Sequence, residues 1–234
     1  MPIIVTAAKG GSGATTIAAA IVLASTQAGS TPTLVELEGD AGAAFRSISR
    51  PDGAPTVDEW LRSAAPPERL DELAAATEPA VLSWAVDRDS SLETTPARPE
   101  RWRELHAWCV RRELRTGSPV VIDAGAHAAA VLAADGEGSA STLLVTRRCY
   151  LGLRRATRRQ PPDAIVMIDE PLRALTRRDI ERSVGAPVVA ALSWDPAIAR
   201  AIDAGLTLTD APRPLRRCGA QVLRSLEPQT AALA

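Results

Sequence analysis

Lysine is almost missing from this chain. Of its 27 basic residues, Lys9 is the single lysine and all the others are arginine. The bias that removed lysine elsewhere has left one in a glycine-rich segment that follows a short apolar stretch. We therefore take this segment, Ala8–Thr16, as the best guide to function.

Cysteine and histidine are also scarce. The three cysteines, Cys109, Cys149 and Cys218, are far apart and show no C-x-x-C spacing. The two histidines, His106 and His127, are isolated and fit no metal-binding motif. This pattern argues against a disulfide framework and against cysteine or histidine metal ligands. We expect reduced packing cysteines in a cytoplasmic protein.

Long apolar runs are absent too. No run approaches the ~18 residues of a membrane-spanning helix. The N-terminus has no basic region followed by an apolar one, as a secretory signal would. With 234 residues, 46% of them hydrophobic, the composition predicts one soluble domain over 1–234 with an insert of helices and loops at about 51–101.

The chain also lacks a strong net charge, since its formal value is −1. Bulk electrostatics therefore do not attract it to DNA or to anionic lipid. Paired arginines such as Arg147-Arg148 and Arg154-Arg155 can neutralise phosphates. With lysine replaced almost everywhere, however, such pairs are also the ordinary composition of a solvated surface. Non-specific DNA is a partner that we consider and do not favour.

The glycine-rich segment has the features of a phosphate-binding turn. It joins the apolar run Ile3–Val5 to a stretch rich in alanine, isoleucine, valine and leucine, Thr15–Gln27, which predicts a helix. Glycines let backbone N–H groups converge on an anion, and the helix adds its partly positive N-terminus. In the ordinary P-loop, G-x-x-x-x-G-K-[ST], a lysine reaches the phosphates. Here that position is Ala14, while the following hydroxyl remains as Thr15.

The segment resembles the deviant Walker A motif, K-G-G-x-G-K-[ST]-[ST], of the ParA/MinD family of P-loop ATPases. Lys9 falls on that family's signature lysine, which the resemblance places across a dimer interface. The G-G-x-G-A-T-T version looks like the TadZ/CpaE branch, implicated in placing pilus or secretion machinery, and like MinD-related proteins of actinobacteria. The resemblance implies ATP and Mg²⁺ as cofactors, with Thr15 on the metal and nucleotide contacts from Lys9, Gly10, Gly11, Ser12, Gly13, Ala14, Thr15 and Thr16.

Two acidic segments extend the resemblance. Thr33–Asp40 is similar to the family's V-D-x-D switch segment, with Glu36 and Glu38 on the aspartate positions. Glu38 would then orient the attacking water. Asp40 is the alternative catalytic acid, because G-D follows this strand in the TadZ/CpaE branch, and a solvated acidic loop is the other interpretation. Asp123 ends an apolar strand in the form of a Walker B motif, and such a carboxylate can hold Mg²⁺ through water.

The last match is Gly185–Gly205, which resembles the family's late strand, its I-P-x-D loop and the following helix. In relatives this loop lies near the adenine, so Trp194 and Asp195 become candidate base contacts. Burial of Trp194 in the core is the alternative. Asp195-Pro196 also predicts a helix start, because aspartate accepts at an N-cap and proline suits the first helical position.

The remaining pattern is that of an α/β protein with a doubly wound, mostly parallel sheet flanked by helices. Short, continuous apolar runs are typical of parallel strands covered on both faces. Helices are predicted between them, notably at 101–115 and 176–184. Right-handed crossovers then bring the glycine loop and both acidic segments to one sheet edge. The predicted strands lie at 3–7, 33–37, 80–84, 119–123, 141–146, 164–168 and 187–192.

The resemblance to the ParA/MinD family implies a nucleotide-dependent homodimer that positions a cellular machine such as a pilus, a secretion system or a division site. Ala14 predicts weak or absent ATPase activity, because a cation at the developing charge can contribute ~10³–10⁵ in rate. Two alternatives stay open, an active ParA-type DNA-partitioning ATPase and a nucleotide-free pseudo-ATPase scaffold. The C-terminal stretch Leu215–Leu226 is expected to pack on the domain rather than to bind a membrane, since it holds few bulky apolar residues.

Overall fold

We describe the fold from a computed structural model. It describes residues 1–37, 45, 55–75, 80–83, 97–135, 138–158, 160–205 and 211–226. Seven strands pair in parallel in the order β3-β2-β4-β1-β5-β6-β7, with helices on both faces. The predicted fold class is confirmed. The strands are β1 (Ile3–Ala7), β2 (Thr33–Glu36), β3 (Ala80–Leu82), β4 (Val120–Asp123), β5 (Ser141–Arg147), β6 (Ala164–Asp169) and β7 (Val188–Ser193).

The helices lie in two layers. In one layer, α1 and the C-terminal helix pack on one face of the sheet. In the other layer, α2 to α5 pack on the opposite face. A third apolar cluster joins α6 and α7 to β5, β6 and β7. The helices are α1 (Ala14–Gln27), α2 (Val57–Arg62), α3 (Arg69–Ala75), α4 (Pro99–Thr116), α5 (Ala128–Ala134), α6 (Tyr150–Ala156), α7 (Arg177–Val184), α8 (Pro196–Asp203) and α9 (Arg213–Leu226).

Local capping chemistry fixes several of these boundaries. Thr176 and Asp179 form a reciprocal capping box at the start of α7. Gly29 follows α1 with φ +83°, a left-handed conformation that suits glycine at a helix end. The sequence therefore predicts those helix boundaries that depend on one or two capping residues.

The predicted insert at 51–101 contributes to the main sheet. Its strand β3 pairs with β2 through Thr33 and Ala80. Helices α2 and α3 pack in the same apolar cluster as α4, through Trp60, Leu70 and Trp102. This segment thus covers one face of the sheet and adds its edge strand.

Cys109, Cys218 and His106 are buried and are part of the packing. All three cysteines are free. Burial raises the pKa of both Cys109 and Cys218 to about 12. Burial lowers the pKa of His106, although the nearby Asp135 carboxylate raises it. His106 Nε2 lies 2.8 Å from Ser139 Oγ and 3.1 Å from an Asp135 carboxylate oxygen. These contacts tie α4 to the end of α5.

The C-terminal helix α9 packs on the domain, as the sequence predicted, and its partner is α1. Its apolar face, with Leu215, Cys218 and Val222, lies in the same cluster as the buried side of α1. The two backbones approach closely at Gly219, where an added Cβ would lie 2.0 Å from the carbonyl oxygen of Ala20. Among the described helices, none is long and apolar enough to cross a membrane.

Gly219→Ala is expected to lower the free energy of unfolding by about 1–3 kcal/mol, because the methyl group forces α9 away from α1. The overlap outweighs the gain of ~1 kcal/mol in helix propensity. Chemical denaturation measures the effect, with Gln221→Ala on the exposed side of α9 as the control. Equal stability of both variants would contradict the close packing of α9 on α1.

Candidate phosphate and base site

The glycine loop turns sharply between β1 and α1. Gly11 and Gly13 have φ of +71° and +94°, a region that non-glycine residues avoid. The Ser12 N–H donates to the Lys9 carbonyl oxygen at 3.2 Å, and the Lys9 N–H donates to Ser12 Oγ at 3.3 Å. Ser12 is buried, so these hydrogen bonds hold the loop in one shape.

The N-terminus of α1 is open to an anion. Its N-cap is Gly13, which offers no side-chain acceptor, and no acidic residue lies in the first turn. The first N–H groups of a helix need acceptors from outside the helix, and the helix dipole favours a negative charge there. This end of α1 is therefore suited to bind phosphate oxygens.

A cavity of about 870 Å³ lies over the loop. Its wall is formed by the loop from Ala7 to Thr16, by the start of α5 and by the end of α6 with the segment after it. Within the described part of the chain, its charged wall residues are Lys9 and Arg155, and no carboxylate lines it. The described part of the wall therefore carries positive charge and no negative charge. The wall residues outside the loop are Gly125, Ala128, Ala129, Leu132, Arg155 and Gln160.

The candidate metal ligands lie at the same edge of the sheet. Thr15 lines the cavity. Asp123 is the last residue of β4, next to Val5 of β1, and it is buried. Asp123 does not line the cavity itself. The wall next to it is formed by Gly125 and Ala128, which follow β4 in the chain. A joint role of Thr15 and Asp123 in binding Mg²⁺ remains a prediction.

One of the acidic switch positions can be placed. Glu36 ends β2 directly opposite Asp123 in the neighbouring strand, and both residues are buried. The two predicted acidic segments therefore meet, as right-handed crossovers require. Glu38 and Asp40, the two candidate catalytic acids, lie outside the described residues.

A second cavity of about 170 Å³ adjoins the first. The two cavities share wall residues of the loop, including Gly11, Gly13 and Thr16. The smaller one is lined mainly by apolar side chains of β6, β7 and α8, which suits the flat face of an aromatic ring. The lining outside the loop is Arg147, Ile168, Leu192, Ser193, Trp194, Asp195, Ile198, Ala199 and Ile202.

Trp194 and Asp195 both line the smaller cavity, but they differ in role. Trp194 is 53% exposed, so the alternative that placed it in the core is wrong. Its backbone N–H donates to the Asp169 carbonyl oxygen at 2.9 Å, which fixes the start of the loop. Asp195 accepts from the Ala197 N–H at 2.8 Å and caps α8, as the sequence predicted.

Sequence reasoning missed several wall residues. The sequence predicts Arg147 and Arg155 only as surface residues, either solvated or in contact with DNA phosphates. It predicts Ile168 only as part of a strand and gives no signal for Gln160. Arg147 ends β5, which pairs with β1, so sheet order rather than spacing brings it to the loop. Arg147 forms an ion pair with the buried Glu170. The one available signal was that Arg147 and Ile168 lie at the carboxyl ends of the predicted strands β5 and β6, the edge of the sheet where the glycine loop also lies.

Comparison with known proteins gives structural matches only. No protein-family model matches the sequence, and no curated protein matches it. Among solved structures, a ParA family ATPase from Chlorobium tepidum matches with TM-score 0.70 and 17% identity, over 96% of this chain and 98% of that chain. The septum site-determining protein MinD of Pyrococcus horikoshii, complexed with Mg-ADP, matches with TM-score 0.70 and 18% identity, over 98% and 96%.

The MinC:MinD cell division protein complex of Aquifex aeolicus is a third match, with TM-score 0.69 and 16% identity over 99% of this chain and 97% of that chain. These likenesses cover nearly the whole of every chain compared. At such low identities they establish the fold. This chain therefore has the fold of the ParA and MinD ATPases.

Trp194→Ala is expected to weaken ATP binding by about 3-fold to 10-fold, because stacking on an aromatic ring contributes ~0.5–1.5 kcal/mol beyond its buried area. Calorimetric titration with ATP measures the change. Leu172→Ala is the matched control, since Leu172 is a fully exposed apolar residue outside both cavity walls. Equal ATP affinities of the two variants would show that the base does not bind in this cavity.

Proposed function

We propose that this chain is a member of the ParA/MinD family that binds ATP and Mg²⁺ and acts as a nucleotide-dependent dimer switch in the cytoplasm. One observation carries the proposal: the glycine loop and the open N-terminus of α1 line a cavity whose described charged wall residues are basic, and a mainly apolar cavity adjoins it. This pairing fits a nucleotide, whose phosphates are anionic and whose base is a flat aromatic ring. The Mg-ADP complex of P. horikoshii MinD supports the choice of ligand.

The phosphates would lie against residues 9–16, and the base against Trp194. Thr15 and Asp123 are the residues that would hold Mg²⁺, because a hydroxyl and a carboxylate are the oxygen ligands that this ion prefers. The glycines at 11 and 13 keep backbone donors close to the anion without a Cβ in the way. Specificity for adenine is part of the proposal and rests on the family resemblance.

Ala14 makes the ATPase weak or absent in this proposal. It is the first residue of α1 and is buried, so no side-chain cation enters the cavity from this position. Loss of a charge-assisted hydrogen bond weakens binding by ~1.5–3 kcal/mol. The rate suffers more, because a cation at the transferred phosphoryl group contributes ~10³–10⁵. Binding can persist where hydrolysis does not.

The biological role that we propose is the positioning of a pilus, secretion or division machine through a protein partner. The loop version G-G-x-G-A-T-T supports the TadZ/CpaE-like branch, and the A. aeolicus MinC:MinD complex is a neighbour that contains a protein partner. A dimer formed with ATP would present a surface made of both subunits, which the monomer lacks. A protein partner that binds this surface would distinguish the ATP-bound dimer from the monomer.

Titration of the purified protein with ATP and Mg²⁺ tests the proposal. We expect saturable binding with a dissociation constant below ~1 mM and hydrolysis slower than that of Ala14→Lys. Absence of binding at millimolar ATP would favour the scaffold alternative. Fast hydrolysis stimulated by DNA would favour the partitioning ATPase.

A further inference from the structure

The proposed nucleotide site lacks one cation that a phosphate chain needs. Ala14 provides none, and Lys9 is the remaining cation of the loop itself. A triphosphate carries several negative charges, and each cation that forms charge-assisted hydrogen bonds with them adds to the affinity. The wall of the 870 Å³ cavity contains a second cation, Arg155, which belongs to α6 and not to the loop.

Helix α6 is held beside the loop by both backbone and side chains. The Ala8 N–H donates to the Val145 carbonyl oxygen of β5 at 3.0 Å, so the loop begins in register with the strand that precedes α6. Leu153 and Ala156 of α6 lie in the same apolar cluster as Ala8. The buried face of α6 is thus anchored at the base of the loop, and this anchoring places Arg155 at the cavity.

Arg155 is also available to bind an anion. Among the described residues, Arg155 forms no ion pair with a carboxylate. Two nearby arginines are already engaged: Arg147 with Glu170, and Arg148 with Asp169 at 2.5 Å. A guanidinium presents donors in a planar fork that matches phosphate oxygens, so one arginine can replace several contacts.

We propose that Arg155 binds the phosphate chain of the nucleotide from the same subunit and supplies the cation that is missing at Ala14. The inference rests on the proposed nucleotide site and adds to it a residue outside the loop motif. Arg155 would hold ATP in a single subunit before any dimer forms. Lys9 then remains available for the partner subunit.

Arg155→Ala tests this assignment, with Arg154→Ala as the matched control. The two arginines are neighbours on α6, both are exposed, and only Arg155 lines the cavity. We expect Arg155→Ala to weaken ATP binding about 10-fold or more, as for loss of a hydrogen bond to a charged group. Arg154→Ala should stay within about twofold of the wild type. Arg155→Lys, which keeps the charge, should lie between them.

A double-mutant comparison separates a direct phosphate contact from a change in structure. If Arg155 replaces the missing cation, Ala14→Lys should raise ATP affinity more in the Arg155→Ala background than in the wild type. Circular dichroism and thermal midpoints show whether each variant is folded. Since Arg155 is exposed, the single variant is expected to fold like the wild type.

The outcomes are distinguishable. Wild type that binds ATP, together with equal affinities for Arg155→Ala and Arg154→Ala, overturns the role of Arg155 and leaves the proposed function standing. Wild type that binds no nucleotide rejects the proposed function and this inference together. A loss confined to Arg155→Ala, partly restored by Arg155→Lys, supports the assignment.

Discussion

Gly13→Ala is expected to reduce ATP affinity at least about tenfold. Gly13 has φ +94° and is the N-cap of α1, and an alanine in a left-handed conformation costs ~1–2 kcal/mol. An added Cβ would lie 3.5 Å from Ile168 Cγ1, an ordinary contact, so strain of the backbone and not a clash is the cause. The loop would relax away from the conformation that faces the phosphates. Calorimetric titration measures the loss.

Gly29→Ala is the matched control for this prediction. Gly29 follows the other end of α1 with φ +83°, and an added Cβ meets nothing within 4 Å. It therefore carries a similar backbone strain and a similar loss of stability without touching the site. Unchanged ATP affinity in Gly13→Ala, or an equal loss in both variants, would show that the loop conformation does not bind phosphate.

Lys9→Ala is expected to abolish most ATP-dependent dimerisation while leaving the fold intact. Lys9 is half-buried on the loop, and among the described residues it forms no ion pair that would hold it within its own subunit. In the proposed dimer it reaches the nucleotide of the partner subunit. Removing one partner of a buried charge pair costs ~2–5 kcal/mol, which corresponds to at least ~30-fold in the dimer dissociation constant.

Sedimentation at several protein concentrations with ATP and Mg²⁺ measures this constant. Lys9→Arg, which keeps the charge, should dimerise more strongly than Lys9→Ala. Arg154→Ala removes an exposed cation outside the cavity and should dimerise like the wild type. Dimerisation of Lys9→Ala as strong as that of the wild type would place this lysine outside the dimer interface.

The fold was predictable because its signals are local. Continuous apolar runs gave each strand to within a residue or two, and Thr176 with Asp179 marked the start of α7. The loop was predictable for the same reason, since the glycines and Lys9 stand next to one another in the chain. Several ends extend one or two residues further than predicted: α4 covers Pro99–Thr116, and β5, β6 and β7 continue to Arg147, Asp169 and Ser193.

The rest of the site could not be read from spacing. Arg155 reaches the loop because β5 pairs with β1, and sequence alone does not fix the order of strands in a sheet. Trp194 was equally compatible with the core and with a pocket, because burial depends on what packs over β7. Ala14 belongs to the apolar cluster of α1 and also lines the cavity, a double position that no local pattern reveals.

The mass of the wild-type protein in solution tests the central claim most directly. Purified protein is measured without nucleotide, with ADP and Mg²⁺, and with ATP and Mg²⁺, at one protein concentration. We expect a monomer in the first two conditions and a dimer, at twice the monomer mass, with ATP. A monomer in all three conditions, or the same oligomer in all three, would contradict a nucleotide-dependent dimer switch.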